Sequence, residues 1–518
     1  MKRRYIALSA SALLFTVGCQ ASGESSVTEE VSSNEMKETT SGYFSDRDLK
    51  QDYDDSEAVH VTLNGDFITA DGEGVTEKNS VITITKAGVY IFSGRLNDGS
   101  IVVDAGDDDK VQIVLNGVTI NSSTSACIYA KNVDKVFVTS IEDNTLTHSG
   151  TYEETDDNNV DGVIFAKCDL TLNGTGTLTI TDDTGHGVVC KDDLVITGGS
   201  YALNVAKHGF QAKKLSAVTS ATFDITSGKD GFHAENSDDE TEGEIYIKDG
   251  TFAVKSAGDG FDASASLTID GGTFSITTNG GSEEATMKAT DDMGPGRQGT
   301  VTEETEDTTS TKGIKSDGTL TVNGGEFTLD CYDDAIHSNS DIVIEDGSYS
   351  IKTGDDAIHA DDSVTIYNGN FEISYCYEGI EGMTVTIHDG TYDITSKDDG
   401  INAASDISTT PGVSDGVSLI TVNGGTITIV SDGDSLDSNG DIVINGGTLN
   451  LTCNGNGNTA IDTDGSYTNN GGTVTTNDGS ENGTDNMGPG GGNGNNMTPP
   501  DGMNGKPRNG GPGEGQPA

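Results

Sequence analysis

The sequence has no tryptophan and few basic residues, and the second shortage limits what the protein can bind. Only 28 Lys and Arg residues stand against 85 Asp and Glu residues, which gives a formal net charge of −57 at pH 7. Nucleic acids and anionic membrane surfaces would repel a chain this acidic. We therefore expect no nucleic-acid partner, and we expect bound cations to relieve the repulsion among the carboxylates.

Apolar residues are also scarce, at 32% of the 518 residues. Low hydrophobicity combined with high charge is typical of disordered chains. It is equally compatible with a fold whose thin core needs only one short apolar stretch per turn. Because this length alone would allow several domains, the periodicity of the apolar residues has to decide between these interpretations.

The N-terminus has the pattern of a bacterial export signal. Residues 2–4 are basic, and the apolar core at 6–17 is too short to span a membrane as a mature helix. The core leads into FTVGC at 15–19, which resembles a lipobox and makes Cys19 the predicted lipidation site. Thr16 occupies a position where Leu is commoner, so plain signal cleavage is the alternative.

The two ends of the chain differ in composition from its centre. Residues 1–19 are the predicted lipoprotein signal peptide, and residues 20–54, rich in Ser, Thr and Glu, are a predicted flexible tether. Residues 476–518 are rich in Gly, Asn and Pro and are predicted to be disordered. We expect an extracellular protein that contacts the cell membrane only through its N-terminal lipid anchor.

Internal repetition identifies the fold. Similar segments begin at Leu320, Ile342 and Val364, at intervals of 22 residues. The same phrase returns at Leu194, Ile245, Leu267, Val385, Ile420 and Ile442. A regular period of this length is typical of a solenoid.

Each repeat contains three short strand patterns, such as 320–322, 327–329 and 335–337. Their period of two is typical of strands with one buried face, and helical spacing is absent. Asn-Gly, Asp-Gly or Gly-Gly pairs supply the positive φ that a sharp corner needs. One coil cannot bury its apolar face alone, so the coils must stack about 4.8 Å apart. The sequence therefore predicts an all-β, right-handed parallel β-helix with about 22 residues per coil.

We assign residues 55–475 to one β-helix, with longer and looser coils in its N-terminal part. A stretch at 279–310, containing a Met-Gly-Pro-Gly motif, interrupts the repeat as a surface insertion. The cysteines after Cys19 show no CxxC pair, so buried thiols are favoured over the disulfides that export would permit. These cysteines are Cys127, Cys168, Cys190, Cys331, Cys376 and Cys453.

Aligning the coils on the third strand pattern reveals two columns of polar residues, which we call the ladder. A residue between the columns, such as Ile358, points inward, so its neighbours in the two columns face outward. The first column contains Asp230, Asp259, Lys312, Asp334, Asp356, Glu378, Asp399 and Asp434. The second column contains His233, Asp262, Lys315, His337, His359, Glu381, Asn402, Asp437 and Asp462.

Carboxylates stacked at strand spacing repel each other and would either protonate or bind cations. Calcium prefers six to eight oxygen ligands, which two neighbouring coils can supply. The predicted calcium ligands are Asp230, Asp259, Asp262, Asp356, Glu378, Glu381, Asp399, Asp434, Asp437 and Asp462. The alternative is that these acids only keep the edge soluble. The ladder histidines are interpreted as hydrogen-bonding members, not as transition-metal ligands.

Three segments, SVITITKAGVYIFSG at 80–94, VQIVLNGVTI at 111–120 and DLTLNGTGTL at 169–178, resemble the clostridial carbohydrate-binding β-helix family, formerly a domain of unknown function. The resemblance implies a cell-surface β-helix that binds calcium and plant-wall polysaccharides such as cellulose and pectic acid. The family fold is similar to polysaccharide lyase family 9, where acids of the Asp-Gly-Phe-Asp kind hold calcium beside a lysine base. Residues 259–262 match the calcium part of that motif, and no residue can be matched to the base.

We therefore expect a non-catalytic, calcium-binding β-helix at the cell surface that binds polysaccharide. Calcium held on the edge would bridge to the carboxylates of an acidic plant cell-wall glycan. Neutral glycans would instead need flat aromatic platforms. Because tryptophan is absent, the candidates are Tyr332, Tyr375 and Tyr377, for which packing at the corner is the alternative.

Two other functions stay open. In a calcium-dependent pectate lyase, a base removes the proton next to the uronate carboxylate, and Lys315 is the candidate on the ladder. Its predicted neighbours, Asp262 and His337, would raise its pKa, which is the wrong direction for a base. The other possibility is a surface adhesin or structural stalk without a glycan ligand.

Overall fold

The coils of the chain stack in parallel register and form three sheets. Leu320 pairs with Ile342, and Ile342 pairs with Val364, as the 22-residue repeat requires. The described residues contain no α-helix, and the predicted all-β parallel β-helix is confirmed. The computed structural model describes residues 42–153, 159–286, 310–405, 407 and 413–482.

The first sheet runs from Val59 to Asn469 through the strands that begin each repeat. Its strands are Val59–Gly65, Gly88–Leu96, Lys110–Ser122, Lys135–Ser140, Asp169–Gly174, Asp193–Ile196, Leu215–Val218, Glu244–Ile247, Leu267–Ile269, Leu320–Val322, Asp341–Ile344, Ile358–Ile366, Ile380–Ile387, Leu419–Val422, Asp441–Ile444 and Tyr467–Asn469.

The second sheet follows the glycine corner of each coil. Its strands are the end of Lys110–Ser122, then Asn144–His148, Thr177–Asp182, Ser200–Val205, Thr222–Ser227, Thr251–Ser256, Thr273–Thr278, Glu326–Cys331, Ser348–Thr353, Asn370–Cys376, Thr391–Ser396, Thr426–Ser431, Thr448–Cys453 and Thr473–Thr476.

The third sheet carries the ladder. Its strands are Val81–Ile84, Ser100–Asp104, Ile128–Asn132, Gly162–Ala166, His186–Cys190, Phe210–Ala212, Phe232–Ala234, Phe261–Ala263, Ile314–Ser316, Ile336–Ser338, the beginnings of Ile358–Ile366 and Ile380–Ile387, then Ile401–Ala403 and Leu436–Ser438.

Short antiparallel strands cover the N-terminal end of the β-helix. Ile68–Ala70 pairs with Val59–Gly65, and Val75–Lys78 pairs with Val81–Ile84. Such pairing leaves less of the sheet edge open to another chain. Single 3-10 turns occur at Asp55–Glu57 and at Ser480–Asn482.

Aromatic rings stack along the core of the second sheet. The rings of Phe327 and Tyr349 lie 4.8 Å apart, and those of Tyr349 and Phe371 lie 4.5 Å apart, each pair within 2° of parallel. The corner glycines make room for these rings. At Gly325, where φ is 130°, a Cβ atom would lie 3.0 Å from the ring of Phe327.

The six cysteines that the structure describes are all buried and free. They lie in different coils, and the thiols of Cys127, Cys168, Cys190 and Cys376 donate hydrogen bonds to backbone carbonyls. Burial raises the pKa of each thiol, for example that of Cys453 to about 11. These cysteines therefore belong to the packed interior.

Residues 43–51 lie against the outer face of the first sheet, and we call them the docked segment. Tyr43 stacks on Tyr246 with ring centroids 4.2 Å apart, and the guanidinium of Arg47 lies 4.3 Å from the ring centroid of Phe137. The sequence predicts a flexible tether over residues 20–54, whereas residues 43–51 are attached to this sheet. The apolar outer face of the first sheet provides the attachment, through Tyr246 and its neighbour Ala217.

Asp48 is the buried polar contact of the docked segment, with 2% of its surface exposed. Its Oδ1 accepts a hydrogen bond from the hydroxyl of Thr171 at 2.5 Å and lies 2.8 Å from Nζ of Lys135. Burial raises the pKa of Asp48, but hydrogen bonds from Lys135, Ser45 and Thr171 lower it overall. The carboxylate therefore stabilises the docked segment in its charged form.

We expect an Asp48→Asn variant to be less stable than wild type at pH 7 by about 1–2 kcal/mol, because charge-assisted hydrogen bonds are lost. The stabilisation from a lowered pKa is complete above the ordinary value of 3.8 and declines as the pH falls through the lowered value. The difference in urea unfolding free energy should therefore be constant near neutral pH and shrink in acid. The exposed Asp52→Asn variant is the control, and an equal loss in both variants would contradict the role of Asp48.

Several predicted features lie outside the described residues. They are the signal peptide with Cys19, the predicted tail beyond Asn482, and residues 287–309 of the predicted insertion. Across the described part of the chain, we find no helix with the length and apolar character that crossing a membrane requires.

Candidate functional site

The ladder is built by the turn that precedes each strand of the third sheet. The first-column residue lies two positions before the strand, and the second-column residue is the second residue of the strand. In the strand Ile336–Ser338, the core residue Ile336 separates Asp334 from His337. Parallel pairing in register then places each ladder residue beside its counterpart in the next coil, as His337 lies beside His359.

First-column acids fix the turn of the following coil. Oδ1 of Asp356 accepts a hydrogen bond from the backbone N–H of Glu378 at 3.0 Å. Oδ1 of Asp399 accepts one from the N–H of Asp434 at 2.7 Å. One carboxylate oxygen of each is thus held by the backbone, and the other is available to the second column. The same contact joins Asp230 to Asp259, Asp259 to Lys312, Asp334 to Asp356, and Asp434 to Thr459.

The predicted calcium cluster of Asp230, Asp259 and Asp262 is occupied largely by ion pairs. Nδ1 of His233 lies 3.1 Å from Asp230 and 3.0 Å from Asp262, while Nζ of Lys315 lies 3.0 Å from Asp262. Burial lowers the pKa of His233, but hydrogen bonds to Asp230 and Asp262 raise it to about 10. At neutral pH, His233 and Lys315 therefore balance most of the charge of these acids.

Asp259 differs from its two neighbours because it has no basic partner among the described residues. Its Oδ1 accepts hydrogen bonds from the hydroxyl of Ser310 at 2.8 Å and from the N–H of Lys312 at 2.6 Å. Burial, followed by the charges of Asp262 and Asp230, raises the pKa of Asp259 to about 7.

The two ladder lysines serve as counter-ions. Nζ of Lys312 lies 2.8 Å from both Asp333 and Asp334, and Nζ of Lys315 contacts Asp262. Burial lowers the pKa of each lysine, but these carboxylates raise it above the ordinary value. A general base must lose its proton near neutral pH, so this environment disfavours Lys315 as the base of a lyase.

From Asp356 onward the ladder contains no lysine. We call this part of the ladder the acidic cluster, and its members are Asp356, Glu378, Glu381, Asp399, Asn402, Asp434, Asp437 and Asp462. Among the described residues, only His359 forms ion pairs with these carboxylates, at 3.5 Å from Asp356 and 3.7 Å from Glu381. The acidic cluster therefore contains far more negative charge than its protein partners balance.

Burial and the unbalanced negative charge raise the pKa values of carboxyl groups in the acidic cluster. Burial, followed by the charge of Asp398, raises the pKa of Asp399 to about 7. Burial also raises the pKa of Asp434 to about 8, despite a hydrogen bond from the backbone of Thr459. Burial and the charges of Asp399 and Asp434 hold the pKa of Asp437 well above its ordinary value. A bound cation would favour the charged forms of these carboxyls.

Asn402 supplies an oxygen without a hydrogen-bond donor at the centre of the acidic cluster. It lies in register between Glu381 and Asp437, and its Nδ2 donates to Oε2 of Glu378 at 3.0 Å. Its Oδ1 is buried and accepts no hydrogen bond from any residue that the structure describes. A buried acceptor left without a donor is costly, and a cation would satisfy it.

The donor set of the acidic cluster fits calcium. It offers carboxylate and amide oxygens from neighbouring coils, which are the ligands that calcium prefers, and no cysteine thiolate. Asp399 and Asn402 of one coil and Asp434 and Asp437 of the next are residues that would hold the ion. The predicted ligands Asp356, Glu378, Glu381 and Asp462 lie beside them on the same column pair.

The three predicted sugar-binding tyrosines lie near the same corner and are half-buried. Tyr332 and Tyr377 are separated by one coil, in which Gly354 occupies the equivalent position. Tyr375 lies beside Lys352 of the preceding coil. The role of the three tyrosines in binding stays a prediction.

The alignment of the ladder missed its N-terminal continuation. His186 and His208 lie in register ahead of Asp230, and the imidazoles of His186 and His208 stack with centroids 5.0 Å apart. Both precede the same Gly-Val or Gly-Phe phrase as the later ladder residues, which is the signal that could have identified them. Burial lowers the pKa of both rings, so they are neutral at pH 7.

A family model described as "Carbohydrate-binding domain-containing protein" matches residues 78–357 and 355–494. A protein of the same description from Acetivibrio thermocellus is 37% identical over 145 residues, which are 27% of this chain and 51% of that protein. The chain thus spans about half the length of this relative.

Among solved structures, the polysaccharide lyase-like protein from C. thermocellum, studied as a gadolinium derivative, is 31% identical to this chain. The match covers 43% of this chain and 92% of that one, with a TM-score of 0.42. The matches to the family model, in contrast, take in well over half of the chain. The protein is therefore a member of the carbohydrate-binding domain-containing protein family.

Proposed function

We propose that this protein is a calcium-binding β-helix that binds polysaccharide and acts at the cell surface. The observation that carries the proposal is the acidic cluster, where stacked carboxyls have raised pKa values and the amide oxygen of Asn402 has no donor. Family membership supports a carbohydrate ligand. A bound cation would supply the positive charge that the acidic cluster lacks, and the cation would in turn contact the glycan.

The electrostatics favour a divalent cation over simple protonation. Carboxylates on adjacent coils lie at strand spacing, about 4.8 Å, where like charges destabilise a sheet. Protonation of one neighbouring carboxyl would give the oxygen of Asn402 a donor, but it would neutralise that carboxyl alone. A calcium ion is coordinated by carboxylate and amide oxygens together, so one ion would neutralise several carboxylates and also satisfy Asn402.

Bound calcium would supply positive charge on an otherwise acidic edge. The carboxylates of an acidic plant-wall glycan carry the complementary charge, whereas the protein alone, at −57, would repel them. Tyr332, Tyr375 and Tyr377 flank the same corner and are the candidates for contacts with sugar rings. Export and lipid attachment at Cys19 would place the protein at the cell surface, and both stay predictions.

The proposal is tested by retention on insoluble cellulose and on immobilised polygalacturonate, with calcium or with a chelator. We expect calcium-dependent retention on polygalacturonate, and we expect the chelator to reduce it at least tenfold, or about 1.4 kcal/mol. No retention on either polysaccharide under any condition would contradict the proposal and favour an adhesin or stalk. The appearance of unsaturated product in the ultraviolet would instead identify a lyase.

A further inference from the structure

A second polar surface lies on the same sheet, closer to the N-terminal end, and it is basic. Lys167, Lys191 and Lys213 follow three successive third-sheet strands in register, because their preceding residues pair in parallel. We call these three residues the lysine row. Lys131 occupies the equivalent position one coil earlier. Each of these four coils thus presents one ammonium group at the strand spacing of about 4.8 Å.

The lysine row forms one wall of a groove of about 710 Å³. Phe165, Gln211 and the stacked imidazoles of His186 and His208 line the groove as well. Lys229 lies on the groove too, three residues before the strand that begins at Phe232. The groove therefore combines ring surfaces and an amide with a line of positive charges.

The charge of this groove opposes that of the whole chain. Acids outnumber bases by 85 to 28 overall, yet the groove is lined by four lysines and only two acids. Both acids have partners, since Asp161 contacts His186 and Lys207, and Glu235 contacts His233. The local positive charge is therefore not balanced from within the groove.

The lysines themselves are available. Within the described part of the chain, Lys167, Lys191 and Lys229 form no ion pair, and Lys191 lies 5.5 Å from the ring centroid of Phe165. Lys213 contacts Asp238 at 2.6 Å, where the aspartate side chain is 79% exposed. An exposed pair of this kind contributes little and can be exchanged for another anion.

We propose that the groove binds a carboxylate-bearing segment of an acidic polysaccharide directly, without calcium. An extended polyuronate presents carboxylates at regular intervals, which matches a line of ammonium groups along the β-helix axis. Repulsion by the rest of the surface confines a polyanion to this groove. The inference rests on the proposed polysaccharide-binding function, and it adds a calcium-independent contact to the calcium-dependent one.

The test measures binding of hexagalacturonate by calorimetry in the presence of EDTA. The lysine row is altered in a Lys167→Glu/Lys191→Glu variant, and Lys255→Glu/Lys352→Glu makes the same change of charge on exposed residues of the second sheet. We expect wild type and the control to bind in EDTA, and the row variant to bind at least tenfold more weakly. Lys167→Gln/Lys191→Gln repeats the test without charge reversal in case the first variant misfolds.

The other outcomes overturn the inference in distinguishable ways. Equal affinity of the row variants and wild type would show that the lysines are not the site. Binding that requires calcium would leave the proposed function intact but remove this groove from it. Displacement by an equimolar amount of inorganic phosphate would make the groove a simple anion site. Loss of binding to every polysaccharide, with calcium or EDTA, would contradict both proposals.

Discussion

An Asp399→Asn/Asp437→Asn variant will lose the thermal stabilisation that calcium gives the wild-type protein, yet it will be more stable than wild type without calcium. The two effects have one cause. Burial raises the pKa of both Asp399 and Asp437, and the charge of Asp399 raises that of Asp437 further, so the charged forms are disfavoured. Asparagine removes the repulsion and also removes two of the ligands that calcium needs.

The expected size follows from mass action. A ligand at one hundred times its dissociation constant stabilises the native state by about 2.7 kcal/mol per site. Unfolding of wild type, followed by fluorescence in matched calcium and EDTA buffers, should therefore show a higher midpoint with calcium. The same comparison for the variant should show no difference, and its EDTA midpoint should exceed that of wild type.

The matched control is Asp224→Asn/Asp393→Asn, which makes the same change of charge on exposed positions of the second sheet. This variant should keep the full calcium response. A wild-type protein that gains no stability from calcium would contradict the metal site. A calcium response retained by Asp399→Asn/Asp437→Asn would move the site elsewhere on the ladder.

The fold could be predicted because the same strand and corner pattern recurs in successive coils. The 22-residue interval between Leu320 and Ile342 becomes a parallel pair in the first sheet. The corner glycines have the predicted positive φ, as at Gly325, where a side chain would strike the ring of Phe327. Local pattern and global arrangement agree here, since the register of one coil is repeated in the next.

The composition of the site was predictable in part. The positions of Asp399 and Asp437 follow from the repeat. In each coil the second-column residue comes three residues after the first-column residue, and stacking in register aligns both columns. The pairing of charges does not follow from it. His233 lies between Asp230 and Asp262, and Lys315 also contacts Asp262, so ion pairs balance much of the charge of one predicted calcium cluster. Such contacts depend on side-chain direction, which the spacing leaves open.

The repeat does not predict contacts between the β-helix and segments outside it. The docked segment binds through Asp48 to Lys135 and Thr171, more than 80 residues away. No periodic signal in the sequence links these positions. The lysine row was missed for a related reason, because the alignment followed the acids and began at Asp230.

A Phe252→Ala variant will show the largest loss of stability, about 3–5 kcal/mol, because it removes a ring from the middle of the core stack. Phe252 is 1% exposed. Its ring lies 4.9 Å from that of Phe223 and 4.7 Å from that of Phe274, both nearly parallel to it. It also meets Phe261 edge to face at 5.5 Å. The cavity would therefore touch three coils.

The effect should spread along the stack because each coil of a solenoid is stabilised mainly by its two neighbours. Urea unfolding at fixed calcium measures the loss, and proteolysis under native conditions locates it. We expect new cleavage near the coils of Phe223 and Phe274. The control is Lys255→Ala, an exposed residue of the same strand, for which a change within about 0.5 kcal/mol is expected. If both variants unfold at the same urea concentration, the aromatic stack does not hold the coils together, and the stability of the β-helix must come from its backbone ladders.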